Sequence, residues 1–389
     1  MTWIKLFFRF FILGCVSFGG PAAHLGYFHR QFVTRLMWLS DIQYSQFVSL
    51  SQILPGPSSS QVGFCIGLHR AGIVGGISAF LGFTMPSFIL MYCFAWYYSE
   101  ASSSVLIWPA VSSLKLVAAV MVTDALISMF KSFCQDWQSR GIAFLACVLL
   151  AVYPSALFQI SLLITTAIYG AGVYKNVPFR SKTADPQQLI NAKGLIAIIP
   201  LSLFISLLIG SILFRQISPE FLLFETFYRA GSLVFGGGHV VLPMLQHGLN
   251  DFINTEDFLI GYGAAQAVPG PMFTLATFFG ALTLDNPLLG AILATLAIFL
   301  PGFLLVLTLK NSWEQLLNLP TFAGASWAIN SYVVGLLAAS FINPLAINTL
   351  DSVPAIATVA LGVFALRVLK TPAIIIILTC VGLSFIGEI

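Results

Sequence analysis

Four places in this chain combine a helix break with polar groups able to hold a small anion: Phe18-Gly19-Gly20-Pro21, Leu54-Pro55-Gly56-Pro57, Phe235-Gly236-Gly237-Gly238 and Val268-Pro269-Gly270-Pro271. Proline lacks an N–H and glycine adopts any turn, so each cluster ends one helix and starts another. The first turn of a helix carries N–H groups without carbonyl partners and the positive end of the helix dipole, about half an elementary charge. A tetrahedral oxyanion needs several converging donors and no carboxylate beside them, and the breaks supply such a set. The donors are Ser58, Ser59, Ser60 and Gln61 after the first Pro-Gly-Pro, and the Phe273 and Thr274 backbone after the second. Gly20, Ala22, Gly236, Gly237 and Gly238 belong to the Phe-Gly-Gly breaks. A blander reading is that the breaks only let helices kink and pack closely, with the serines satisfying local backbone groups.

Other polar residues fall inside apolar stretches. His24 and His239 each follow a break; there an imidazole can donate to an anion, take up a proton, or simply pack through a hydrogen bond. Gln52 and Gln266 stand three residues before their Pro-Gly-Pro prolines and can line the same site. Lys115 and Asp124 lie in one apolar run, where charge usually has a function. Lys115 would neutralise a dianion and aligns with Asn330, while Asp124 is a candidate carrier of a coupling proton. The alternative is that both snorkel to opposite surfaces. Glu225 and Arg229, four apart, are placed to pair with each other. The six cysteines have no CxxC spacing and the five histidines no metal-binding pattern, so neither metal nor cofactor is expected. No GxSxG nucleophile or paired catalytic aspartate points to an intramembrane enzyme.

The elements that must position these groups are set by composition. Of 389 residues, 58% are hydrophobic and only 8% charged, against roughly 25% charged in a soluble domain. The outside must therefore face a lipid bilayer. No basic cluster interleaved with aromatics suggests nucleic acid. Apolar runs at about 72–98, 105–130, 194–214, 287–309, 321–343 and 371–387 are long enough to cross, and 139–153, 155–174 and 353–369 are shorter but usable with tilt. The four interrupted segments each divide into pieces too short to span, and read as re-entrant hairpins. With nine crossings, four hairpins and a cytoplasmic N-terminus, the C-terminus is outside and fourteen of the 17 basic residues fall on the cytoplasmic side.

The breaks also repeat. Phe18-Gly19-Gly20 returns as Phe235-Gly236-Gly237, and Gln52-Ile53-Leu54-Pro55-Gly56-Pro57 as Gln266-Ala267-Val268-Pro269-Gly270-Pro271. An offset that stays between 214 and 217 marks a duplication. The expected organisation is a first repeat over 1–174, a cytoplasmic linker over 175–193, an extra connecting span over 194–214 and a second repeat over 215–389. That extra span inverts the second repeat relative to the first. The fold class is thus an all-α integral membrane protein of two inverted repeats, whose half-helices meet at the membrane midplane as in many secondary transporters. Whether two copies form a homodimer is left open, as is a channel built from the same donors.

The segments FGGPAAHLGYFHRQFV (18–33), QILPGPSSSQVGFCIGLHRAG (52–72), VFGGGHVVLPML (234–245) and YGAAQAVPGPMFTLATFFGA (262–281) closely resemble the signature segments of the chromate ion transporter family, in its two-domain, long-chain form. The resemblance runs over about 6–343. It implies an anion carrier of the plasma membrane, driven by proton-motive force or potential, that expels chromate with sulfate as the look-alike. Gln31, where an acidic residue is expected, and the bulky neighbours of Asn330 depart from the pattern and bear on substrate preference.

Overall fold

The computed structural model describes residues 2–101, 111, 113–173, 197–235, 237–249, 252–310 and 319–385. The segment 175–193 and Gly236 lie outside them. Among the described residues the chain is helical, with no strand. The first half runs α1 (Trp3–Val16), α2 (Gly20–Phe28) with a π-helical turn (His29–Arg35), α3 (Asp41–Ile53), α4 (Ser58–Ala101), α5 (Leu114–Phe133), α6 (Trp137–Val152) and α7 (Ala156–Val173). After α8 (Ile198–Phe214) the order returns. α9 (Pro219–Leu233) is followed by α10 (Val241–Leu249), α11 (Thr255–Ala267), α12 (Leu275–Thr283) and α13 (Pro287–Leu309). Then come α14 (Pro320–Ser340), the short α15 (Ile347–Thr349), α16 (Val353–Arg367) and α17 (Ala373–Phe385). Short 3-10 turns, Gly238–Val240 and Met272–Thr274, lead into α10 and α12.

Local chemistry explains the boundaries. Ser40 with Gln43, and Asp136 with Ser139, form capping boxes at the starts of α3 and α6. Asn254, Asn286 and Ser352 accept from the first-turn N–H groups of α11, α13 and α16. The helices that end at the breaks, α1, α3, α9 and α11, have 14, 13, 15 and 13 residues. At 1.5 Å per residue each is roughly 20 Å long, well short of a bilayer core of roughly 30 Å.

α4 is two arms. Ala71 and Gly72 leave the helical region, Gly72 with φ +64, and the second arm folds back against the first. A Cβ on Gly67 would lie 2.2 Å from Gly75 O. In the second half α12 and α13 make the same hairpin, with a Cβ on Gly280 2.3 Å from Gly290 O. α1 and α9 lie against the long members of these hairpins: a Cβ on Gly14 would meet Phe83 O, and one on Gly231 would meet Ile298 O. Lipid offers apolar helices no hydrophobic reason to associate, so backbone-close packing through small residues takes over.

By length and apolarity, helices over 58–99, 114–133, 287–309 and 320–349 can cross a membrane, although the turn at Gly72 leaves that role in the first to its second arm. α8 and α17 have 17 and 13 residues, shorter than the apolar runs that contain them. Large apolar side chains stand exposed on the outside, among them Phe144, Leu157, Ile168 and Leu213. Together with the apolar helices these make the chain a multi-pass membrane protein. Inside, Phe64 stacks on Phe303 and Phe94 on Phe278, and Phe80 packs against Phe299 with its ring tilted, joining α4 to α12 and α13. α14 packs on α6 and α7, and α5 packs on α11, α16 and α17, so each half inserts one helix among those of the other.

Two contacts orient the ends of α4. The Arg70 guanidinium lies 5.1 Å from the centre of the Trp38 ring, which puts the α2–α3 connection beside the turn where the second arm begins. At its far end, Tyr98 donates to Asp257 at the start of α11.

Candidate functional site

The four breaks form a ring, and the bonds that close it cross between the halves. Gly56 N–H donates to Val234 O over 2.7 Å, and Gly270 N–H donates to Ser17 O over 2.9 Å. Ser17 and Val234 are the residues at which α1 and α9 end, so each Pro-Gly-Pro turn caps the broken helix of the opposite half. Both donors sit at positive φ, +115 for Gly56 and +101 for Gly270, where a side chain is strained. Neither has room for one: a Cβ on Gly56 would lie 3.2 Å from Gly302 Cα, and one on Gly270 2.8 Å from Ser87 Oγ. Within the first half, His24 closes the ring by reaching Ser17 O through Nε2 (3.2 Å) and Ser59 Oγ through Nδ1 (3.3 Å). In the second half Met272 lies against Gly238, where an added Cβ would fall 2.4 Å from Met272 Cε.

The first-half turn is polar and incompletely paired. α4 begins at Ser58, and the bond from Gln61 N–H to Pro57 O, 2.9 Å, opens its ladder; the N–H groups of Ser58, Ser59 and Ser60 precede it. Ser59, Ser60 and Gln61 are buried, as are Ser17 and His24. Among the described residues the hydroxyls of Ser17 and Ser60 and the Oε1 of Gln61 have no hydrogen-bond partner, nor does Thr84 Oγ1 on the second arm of α4. Buried hydroxyls without partners cost about 1–3 kcal/mol each unless a ligand or water completes them. Gln61 plays a different part from the serines. Its Nε2 donates to Pro55 O over 2.7 Å, which clamps the turn, and the atom left over is an acceptor.

The second-half turn is apolar and closed. Thr274 N–H already bonds Pro271 O at 3.0 Å, and the Thr274 hydroxyl donates to the same carbonyl at 2.8 Å. Only Met272 and Phe273 precede that first bond, and both are buried side chains. Gln266 Nε2 is turned onto Met272 Sδ. His239 Nδ1 lies 2.7 Å from the Tyr262 hydroxyl, so the two histidines that the repeat aligns have unlike partners.

The remaining sequence candidates divide. Among the described residues no atom lies within 4 Å of a Cβ added at Gly20 (φ +74) or Gly237 (φ +128), so both Phe-Gly-Gly breaks border open space there. Gln52 is exposed on α3, and Asn330 is half-buried on α14. Lys115 stands in the first turn of α5, where its Nζ lies 2.6 Å from Glu256 Oε1 at the start of α11. Its charge is taken by that carboxylate, which separates it from the ring. Asp124 Oδ1 lies 2.8 Å from Arg367 Nε, an ion pair without hydrogen-bond geometry, while Arg367 donates through Nη2 to Asp124 O and to Ser128 Oγ. Glu225 and Arg229 pair along α9 at 2.6 Å. Ser17, Thr84 and Met272 were not singled out from the sequence. Ser17 and Met272 immediately flank breaks, which was the signal available; Thr84, in mid-helix, gave none.

Segments 17–24, 54–61 and 268–275 hold no acidic residue. The unpaired donors of the ring are therefore free of a neighbouring carboxylate that would repel an anion.

The chain is 25% identical to a chromate transport protein of Pseudomonas aeruginosa, covering 94% of this chain and 86% of the relative. It is 30% identical to a probable chromate transport protein of Synechococcus elongatus, over 78% and 74% respectively. A chromate transport protein of Cupriavidus metallidurans is 26% identical over 97% of this chain and 92% of its own length. No solved structure matches the chain. The profile of the family described as chromate transporter fits residues 4–173 and 221–385, nearly the whole of both halves, and the chain belongs to that family.

Proposed function

We propose that the protein is a secondary transporter that exports chromate, or a sulfate-like oxyanion, across the plasma membrane and binds it at the start of α4. The observation that carries this reading is the set of buried donors without partners there: the Ser17 and Ser60 hydroxyls beside the first-turn N–H groups of α4, with no carboxylate in the surrounding segments. Ser58, Ser59 and Ser60 supply the donors, and the open space at Gly20 and Gly237 is where the anion reaches them. Thr274, Gln266, Gln52 and Asn330 stand outside the contact set, and Lys115 and Asp124 hold helices together through Glu256 and Arg367.

The architecture behind this activity is two inverted repeats, 1–174 and 215–389, joined by a cytoplasmic linker (175–193) and a connecting helix (194–214), with the N-terminus inside and the C-terminus outside. Support comes from α4: the α2–α3 connection lies at one end of its second arm, beside Arg70, while the equivalent connection leading into α11 lies at the other end, beside Tyr98. Equivalent connections at opposite ends of one spanning helix are what inversion requires. Single-cysteine labelling should find positions near Arg35 and Arg70 on the cytoplasmic face and those near Asp285 outside. Labelling of Arg35 and Arg70 from opposite faces would end the hairpin scheme.

The transport reading is tested with purified protein in vesicles loaded with unlabelled sulfate. Labelled sulfate and chromate should accumulate by counterflow, saturably, and respond to an imposed potential. Flux without saturation or counterflow would make the protein a channel, and no flux of either anion would refute the reading.

A further inference from the structure

The pair formed by His24 and Ser59 has a property that follows from which atoms can donate. Ser17 O only accepts, so the His24 nitrogen facing it, Nε2 at 3.2 Å, carries a hydrogen. In the neutral imidazole Nδ1 is then an acceptor, and the contact of 3.3 Å to Ser59 Oγ uses the hydroxyl hydrogen of Ser59. In that state the Ser59 hydroxyl can show an anion only its lone pairs. When His24 takes a proton from water, Nδ1 becomes a donor to Ser59 Oγ, and the Ser59 hydroxyl hydrogen is released to turn toward an oxyanion. One proton taken up converts Ser59 from acceptor to donor and places an imidazolium one residue-length behind it.

We propose that His24 and Ser59 form a proton-linked donor switch, so that the protein binds its oxyanion together with a proton. The inference rests on the binding site proposed above and names its coupling ion. The surroundings isolate this switch. His24 is buried; it faces Ser17 and Gly270 at the ring, Ser59 and Phe83 on α4, and none of these is charged. Tyr44, the titratable side chain that α3 presents to α2, donates its hydroxyl to Leu25 O. With no competing ion pair, the charge that favours the imidazolium is that of the bound anion, and proton and anion each strengthen binding of the other. The aligned residue in the second half cannot act this way. His239 Nδ1 meets the Tyr262 hydroxyl, which lies on α11, away from the serine-lined turn. Asp124, the other candidate for a coupling proton, is held by Arg367. A dianion that travels with one proton moves one net negative charge, so transport should still respond to membrane potential.

Sulfate titrations of the purified full chain, run calorimetrically in buffers of differing ionisation heat, read the proton directly. The wild type should take up about one proton per sulfate, and over the pH range in which it does so its affinity should fall about tenfold for each pH unit. His24→Asn should bind sulfate weakly, with no proton uptake and a flat pH profile. Ser59→Thr, which keeps the hydroxyl, should keep the pH dependence that Ser59→Ala loses; this pair carries the test if His24→Asn fails to fold. Proton uptake that survives His24→Asn but disappears in His239→Asn would overturn the proposal, as would wild-type binding that is independent of pH. No sulfate or chromate binding by the wild type at any pH would refute the site itself, and the switch with it.

Discussion

The two Pro-Gly-Pro turns make the same backbone bond to the opposite half and are followed by different chemistry. After the first come Ser58, Ser59 and Ser60, with hydroxyls the protein leaves partly unpaired; after the second come Met272, Phe273 and Thr274, all buried and closed by a 3-10 turn. Gly56 and Gly270 do equivalent work, while the residues next to them do not. The two turns share the backbone device that joins the halves, and the unpaired hydroxyls lie beside the first of them.

That comparison can be broken most forcefully at the shared backbone. Gly56→Leu and Gly270→Leu should both be severe, because each combines a strained φ with a clash against backbone or Ser87. Strain and overpacking of about 1–3 kcal/mol each point to a loss on the order of 4 kcal/mol. Thermal unfolding of the purified variants checks this, and tolerance of either change would mean that the ring does not hold the halves together.

Gly237→Leu probes the open part of the ring and should separate binding from folding. Its φ of +128 costs about 1–3 kcal/mol, but no neighbouring atom opposes the new side chain. Sulfate affinity should collapse while a folded, less stable protein survives. Full affinity with only stability lost would make the Phe-Gly-Gly break a packing device.

Ser60→Ala and Thr274→Val sharpen the contrast between the halves. Ser60 has no partner among the described residues, so its loss should leave stability unchanged and weaken anion binding by about 1.5–3 kcal/mol, the usual worth of a hydrogen bond to a charged group. Thr274 bonds Pro271 O, so its loss should cost about 1 kcal/mol of stability and leave affinity alone. Reversed effects would move the site to the second half.

The smallest effect is expected at Lys115→Gln. Half-exposed Glu256 is its partner, and such a pair contributes about 0–1 kcal/mol, so sulfate affinity should stay near wild type. A large loss of affinity with normal expression would return Lys115 to the binding site.

Much of the fold could be read in the residue order because its signals are local. Apolar runs, the prolines at helix starts and the glycines at the breaks act within a few residues, which is why α13 begins and ends at the expected 287 and 309. The spacing between Phe18 and Phe235, and between Pro57 and Pro271, gave the expectation of a repeat for the same reason. Anion-binding potential at the serines could also be read, since a helix start after proline always leaves N–H groups unpaired. The sequence could not tell which of those groups stay unpaired once the halves meet. Gly56 and Gly270 N–H are consumed by carbonyls more than 170 residues away, Lys115 and Asp124 by Glu256 and Arg367 on distant helices, and His24 and His239, alike in position, by Ser59 and Tyr262. Pairing of this kind is decided by which helix faces touch, through glycine contacts that carry no record of their partner in the sequence. The residue order therefore determined where the donors are, and only the tertiary structure decided which of them are left for a ligand.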